Sequence, residues 1–184
     1  MIGPMGEPIT GGSTALKPLA AMGWGLLLVL LDLRVNGLDL VPDPVGWLVV
    51  LLAARSLSPL HRAFAWSVAA SVLGLVASVP EWLGTGGALV SAATSVAETV
   101  LVFATCTAII ALVPARRSAA DAIRWADLGL SLAFVPVLLL AAADPDLGAL
   151  TLLVGLAAMV VFVCFLVLLF RTAGHSGKTI RNTP

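Results

Sequence analysis

The chain has few charged residues, few cysteines and histidines, and no tyrosine. Charged residues make up 11% of its 184 residues, against about 25% in a typical soluble domain. The composition therefore argues against a surface that faces water on all sides. The two cysteines and two histidines are widely separated in the sequence, which argues against a metal or redox centre. The net charge is zero, so the sequence has no excess of positive charge that would favour binding to nucleic acid.

The chain also lacks the short motifs that accompany common catalytic and cofactor sites. It contains no phosphate-binding glycine loop, no Gly-x-Ser-x-Gly, no His-Glu-x-x-His and no Cys-x-x-Cys. These absences argue against a conventional hydrolase, kinase or metalloenzyme. We therefore expect a protein that is not an enzyme and that uses no cofactor and no metal.

Long apolar segments dominate what is present. Hydrophobic residues make up 60% of the chain, the mean hydropathy is +1.08, and six apolar segments alternate with short polar breaks. This pattern predicts an all-α integral membrane bundle of six transmembrane helices, arranged as three hairpins. A disordered cytoplasmic lead at 1–18 and a basic cytoplasmic tail at 171–184 complete the predicted organisation. The predicted spans are 19–36, 44–57, 63–79, 87–113, 119–143 and 147–170.

The polar breaks alternate in the sign of their charge. Basic residues lie before the first, third and fifth spans and after the sixth, whereas acidic residues lie in the other breaks. By the positive-inside rule this places both termini in the cytoplasm. Nine of the ten Lys and Arg residues then lie on the inner side, and Arg34 is the exception. The preference for Arg over Lys, with abundant Ala, Leu and Val, is typical of a bacterial protein, and we expect the plasma membrane as its location.

Glu98 is the most informative single residue, because an acid in the middle of a span is costly and often functional. Polar residues at helical spacing share its face of span four. This stripe can be read as an ion or proton path, or as a structural polar network in which Glu98 bonds a neighbouring helix. The other members of the stripe are Ser91, Thr94, Ser95 and Thr105.

A second polar cluster is expected at the outer rim, between spans one and two. It consists of Asp32, Arg34, Asn36, Asp39 and Asp43. Because Arg34 breaks the charge pattern, we expect it to pair with one of these acids or with Glu98. A structural ion pair that closes the rim is the preferred interpretation, and a ligand site for cations is the alternative.

Small residues recur along span three at the small-x-x-x-small spacing that allows helices to approach closely. Span three is therefore expected to lie at the centre of the bundle or to contact a second copy or another membrane partner. The lipid bilayer is the expected general partner, with anionic lipid headgroups at the basic inner loops and tail. No nucleic-acid partner is expected.

The segment that follows span one resembles a turn found in other proteins. Asp39, Pro42, Asp43, Gly46 and Trp47 match an Asp-x-x-Pro-Asp-x-x-Gly-aromatic pattern. The segment is similar to the turn between the first two spans of a group of small bacterial multi-span membrane proteins that have no assigned activity. The resemblance covers less than a tenth of the chain and implies a membrane-embedded hairpin without a particular ligand.

Two classes of function remain after this reading. The first is a non-enzymatic membrane protein with a role in assembly, partner binding or the cell envelope. The second is a small ion- or proton-coupled transporter or channel that uses Glu98 and the polar face of span four.

Overall fold

The computed structural model describes residues 15–30, 34–35, 38–39, 43–143 and 148–175. Over these residues the fold is all-α apart from one two-residue antiparallel ladder, β1 (Arg34–Val35) with β2 (Leu38–Asp39). A short 3₁₀ turn, Pro114–Arg116, precedes the fifth helix. The six described helices are α1 (Pro18–Leu30), α2 (Asp43–Leu57), α3 (Ala63–Trp82), α4 (Ala88–Leu112), α5 (Arg117–Ala143) and α6 (Gly148–His175).

The described helices are arranged as a ring. Each helix packs against its neighbours in sequence, and α6 also packs against α1, which closes the ring. Short connections favour this arrangement because consecutive helices joined by few residues pack as antiparallel neighbours. The ring brings α1, α3 and α4 together in its interior, where the side chains of Met22, Ser67 and Thr105 meet.

Three of the described helices are long and apolar enough to cross a membrane. They are α3 (Ala63–Trp82), α4 (Ala88–Leu112) and, in α6, the segment Ala149–Gly174. The 25 residues of α4 extend ~37 Å at 1.5 Å per residue, against a hydrocarbon core of ~30 Å. The outward faces are apolar too, because Leu153 and Val160 on α6 are each 63% exposed. Large exposed apolar surfaces of this kind mark a membrane or a protein partner rather than water.

Small and hydroxyl-bearing residues fill much of the interior between the helices. Gly25 of α1 and Gly46 of α2 face each other so closely that a Cβ on Gly46 would lie 2.7 Å from the Gly25 carbonyl oxygen. On α3, Gly74 accommodates the indole ring of Trp47, and Ser67 and Ser71 are fully buried. The small residues of α3 thus pack against neighbours in the same chain. In the ring, α3 lies between α2 and α4, and the predicted contact of span three with a second copy or a membrane partner stays a prediction.

The first helix ends before the predicted end of span one at 36. Residues 34–35 and 38–39 pair as strands, with Arg34 opposite Asp39 and Val35 opposite Leu38. The predicted span 19–36 is therefore wrong at 34–35, and Asn36 lies outside the described residues. The register leaves two residues between the strands, and the sequence there is Asn-Gly, the dipeptide most typical of a two-residue hairpin loop.

The third helix extends beyond its predicted span. Span three is predicted to end at 79, just before Pro80, but α3 continues through Pro80 to Trp82. The helix closes there with a turn in which the Thr85 amide donates to the Pro80 carbonyl at 2.9 Å. Trp47 lies near the start of predicted span two, where an indole ring commonly sits at the membrane interface, yet it is 0% exposed. Its ring is buried because Gly74 on α3 leaves room for it.

Candidate functional site

A buried polar contact joins three helices in the interior of the ring. Thr105 of α4 donates to the sulfur of Met22 on α1 at 3.8 Å and lies 3.0 Å from the Ser67 hydroxyl of α3. With the Thr105 proton directed to Met22, Ser67 donates to Thr105. Ser71 in turn donates to the Ser67 carbonyl at 2.7 Å. These contacts satisfy the hydroxyl groups in an otherwise apolar region, where an unpaired hydroxyl would cost free energy.

We expect the Ser67–Thr105 contact to appear as a coupling energy of about 1 kcal/mol, the upper half of the range for hydrogen bonds between membrane helices. The measurement is the free energy of unfolding in mixed micelles for Ser67→Ala, Thr105→Val and the double variant. Thr94→Val combined with Ser67→Ala is the matched control, because Thr94 bonds only the Val90 carbonyl of its own helix among the described contacts. Additivity of Ser67→Ala and Thr105→Val would show that the two hydroxyls do not interact.

A second polar network lies between α4 and α5. The hydroxyls of Thr99 and Ser131 are 2.8 Å apart. Farther along the helix pair, Arg124 donates to the Thr107 hydroxyl at 3.4 Å and forms a 2.7 Å ion pair with Asp121. Together, these contacts fix the antiparallel register of α4 and α5.

An aromatic cluster surrounds the guanidinium group of Arg124. The group lies 5.3 Å from the Phe103 ring centroid and 5.4 Å from that of Trp125. The two rings contact each other edge to face at 5.8 Å. Such cation–π contacts contribute ~0.5–2 kcal/mol each, depending on desolvation. Arg124 is therefore held by an acid, a hydroxyl and two aromatic rings.

Two acids flank the Thr99–Ser131 contact. Glu98 is next to Thr99 on α4, and Asp127 is one turn from Ser131 on α5. Each lies ten residues into its helix, or ~15 Å from the start. Glu98 is half-buried. The Oδ2 atom of Asp127 is buried and has no hydrogen-bond partner among the described residues.

Asp127 is not conspicuous in the sequence. It follows Asp121 and Arg124 near the polar start of predicted span five, and its own segment gives no reason to separate it from them. The sequence signal for Asp127 is its spacing from Ser131, which lies one turn later on the same face of α5. Ser95 and Glu98 on α4 show a similar spacing of an acid and a serine. Placing Asp127 beside the Thr99–Ser131 contact requires the register between α4 and α5.

The predicted polar stripe on α4 divides into two parts. Ser91 and Ser95 are exposed, and Thr94 and Glu98 are half-buried, whereas Thr105 is fully buried against α3 and α1. Ser95 takes part through its carbonyl, which accepts a bond from Thr99 at 3.0 Å. The structure therefore connects the inner end of the stripe to the ring interior and the region around Glu98 to α5.

The predicted outer-rim cluster is described only in part. Asp32 and Asn36 lie outside the described residues, and Arg34 and Asp39 are described as a backbone pair across the β1–β2 ladder. Asp43 is the first residue of α2, where an acid is favourable for the helix dipole. The ladder makes Arg34 and Asp39 cross-strand neighbours, and the predicted ion pair at the rim stays a prediction.

The comparisons with known proteins return no match. No protein-family model, no curated protein and no solved structure matches the chain. The resemblance of the turn around Asp43 to small bacterial membrane proteins also stays a prediction.

Proposed function

We propose that the chain is a six-span protein of the bacterial plasma membrane with both termini in the cytoplasm. In this arrangement all six described helices of the ring cross the bilayer, and α3, α4 and α6 are the three of them that are long and apolar enough to do so by themselves. The apolar outward faces and the basic residues at one set of helix ends support this orientation. The basic ends would then meet anionic lipid headgroups of the inner leaflet.

We further propose that the protein catalyses no reaction and acts by binding within the membrane, in assembly, partner binding or maintenance of the envelope. One observation carries this choice over transport: the Ser67–Thr105–Met22 contact joins α3, α4 and α1 in the ring interior. Polar groups there bond one another, which favours structural roles for them over the lining of a hydrated path. Trp47, fully buried between α2 and α3, adds to the filling of the interior.

A small proton- or cation-coupled transporter is the second candidate. The observation in its favour is the position of Glu98 and Asp127 on adjacent helices, each ~15 Å into its helix, with Asp127 Oδ2 buried and without a described partner. Acids within a bilayer typically pair with each other or mark a path for ions or protons. In this proposal the site lies between α4 and α5 rather than in the ring interior.

A flux measurement in liposomes decides between the two candidates. Purified protein is reconstituted with a pH-sensitive dye inside, and a proton or potassium gradient is applied. The non-transporting role predicts a flux equal to that of protein-free liposomes. A flux that falls at least tenfold in Glu98→Gln, but not in the matched Glu81→Gln at the outer end of α3, would contradict that role and support the second candidate.

A further inference from the structure

An apolar groove runs along α4 between α3 and α5. It has a volume of about 440 Å³ and is open on one side. Ala63 and Trp66 form the α3 wall, Leu128 contributes from α5, and Phe103 and Ala104 belong to the floor on α4. The floor extends from Thr107 to Thr99, eight residues apart, or ~12 Å along the helix axis. Its shape suits a narrow, flexible, apolar chain.

One end of the groove carries positive charge. Arg124 bonds Thr107, which lines the groove, and stacks on Phe103, which also lines it. Exposed Arg62 directly precedes Ala63 on the opposite wall. Arg117 is exposed at the start of α5. Asp121, paired with Arg124, offsets part of this charge, but arginines outnumber acids at this end.

Arg124 retains donors for an anion. Its guanidinium has five N–H groups, of which one contacts Thr107 and one contacts Asp121. The Nε atom is buried, so the donors left for an anion are the second N–H groups of Nη1 and Nη2. Arginine is well suited to phosphate oxygens because its planar fork matches their geometry.

The exposed tryptophan beside the groove indicates its depth. Trp66 is 68% exposed and lies one turn from Arg62. Amphipathic indole rings favour the level of the lipid headgroups. The charged end of the groove thus lies at the interface, and the apolar remainder extends toward the membrane interior.

We propose that this groove binds an anionic phospholipid of the inner leaflet, with one acyl chain along α4 and the phosphate at Arg124 and Arg62. This rests on the proposed function, which places these helix ends on the cytoplasmic side. The apolar groove contacts the acyl chain, and the arginines favour a negative headgroup over a zwitterionic one. The lipid is part of the protein's lateral surface between α3 and α5.

Native mass spectrometry of the full chain in detergent micelles tests the headgroup. The protein is titrated with phosphatidylglycerol or with phosphatidylcholine of the same acyl chains. We expect about tenfold tighter binding of phosphatidylglycerol, and loss of that preference in Arg124→Gln. Arg55→Gln is the matched control, because Arg55 is exposed in the last turn of α2 and does not line the groove. Arg124→Lys, which keeps the charge, should retain part of the preference if Arg124→Gln fails to fold.

A second pair of variants tests the acyl chain. Val100→Phe fills the groove from its floor, whereas Val96→Phe makes the same change one turn away at an exposed position that does not line it. We expect Val100→Phe to lower the binding of both lipids at least fivefold and Val96→Phe to leave it unchanged.

Three results would overturn the proposal. They are equal binding of the two lipids by the unmodified protein, equal behaviour of Val100→Phe and Val96→Phe, or a dimer in place of lipid adducts that is lost in Val100→Phe. The titration in micelles involves no membrane orientation, so its failure leaves the six-span arrangement standing. The six-span arrangement is tested separately, by measuring from which side of the membrane the loops are accessible.

Discussion

Replacement of Gly46 by leucine is expected to separate α1 from α2 and to lower the free energy of unfolding by about 3 kcal/mol or more. A Cβ at Gly46 would lie 2.7 Å from the Gly25 carbonyl oxygen and 2.6 Å from the Val29 Cγ2 atom. Since the first of these is backbone, relief of the overlap requires the helices themselves to move. Few side-chain adjustments are available, because α1 is also held by α6 and by the Thr105–Met22 contact.

A pair of alanine variants, Gly46→Ala and Gly155→Ala, supplies the matched control. Gly155 lies in α6, and a Cβ placed there has nothing within 4 Å. Gly155→Ala should even raise stability, by up to about 1 kcal/mol, because alanine is the better helix former. Gly46→Ala should lower it. The free energy of unfolding of both alanine variants is measured in mixed micelles. Changes of opposite sign would identify close helix contact as the cause. Equal effects would show that α1 and α2 do not approach as closely as described.

Helix positions were the part of the fold most accessible from the sequence. Apolar runs bounded by proline, glycine or charge predict a helix from its own residues alone, and α2 and α4 begin within one residue of the predicted segments at 44–57 and 87–113. The end of α1 was missed although a local signal existed. Asn36 and Gly37 sit between two positions that pair as strands, and this dipeptide favours a hairpin loop.

The contacts between helices were not accessible in the same way. The position of Trp47 near a helix start is by itself typical of an interfacial residue. Its burial depends on Gly74, which is 27 positions away and opposes it only once α2 and α3 are in register. Residues that are distant in sequence carry no mutual signal in a single chain.

The candidate site could also be predicted from the sequence only in part. Glu98 was recognised because an acid in an apolar run is conspicuous by itself. Asp127 was missed because its significance comes from its position beside the Thr99–Ser131 contact on the neighbouring helix. Similarly, Thr105 belongs to the predicted stripe, but its 3.0 Å contact with Ser67 follows from the packing of α3 on α4.

We expect each loop to be accessible to reagents from only one side of the membrane. The account requires α3 and α4 to cross the membrane in opposite directions. The turn that contains Thr85 then faces outward, and the beginning of α5 at Ser118 faces the cytoplasm. Both residues are exposed, so a cysteine at either position is open to reagents. The native cysteines, Cys106 and Cys164, are first replaced by alanine.

The most direct measurement is therefore the labelling of Thr85→Cys and Ser118→Cys in intact bacterial cells with a membrane-impermeant maleimide. The account predicts that Thr85→Cys is labelled in intact cells and that Ser118→Cys is labelled only after the membrane is permeabilised. The reverse pattern would contradict the proposed orientation. Labelling of both positions in intact cells would contradict the claim that α4 crosses the membrane.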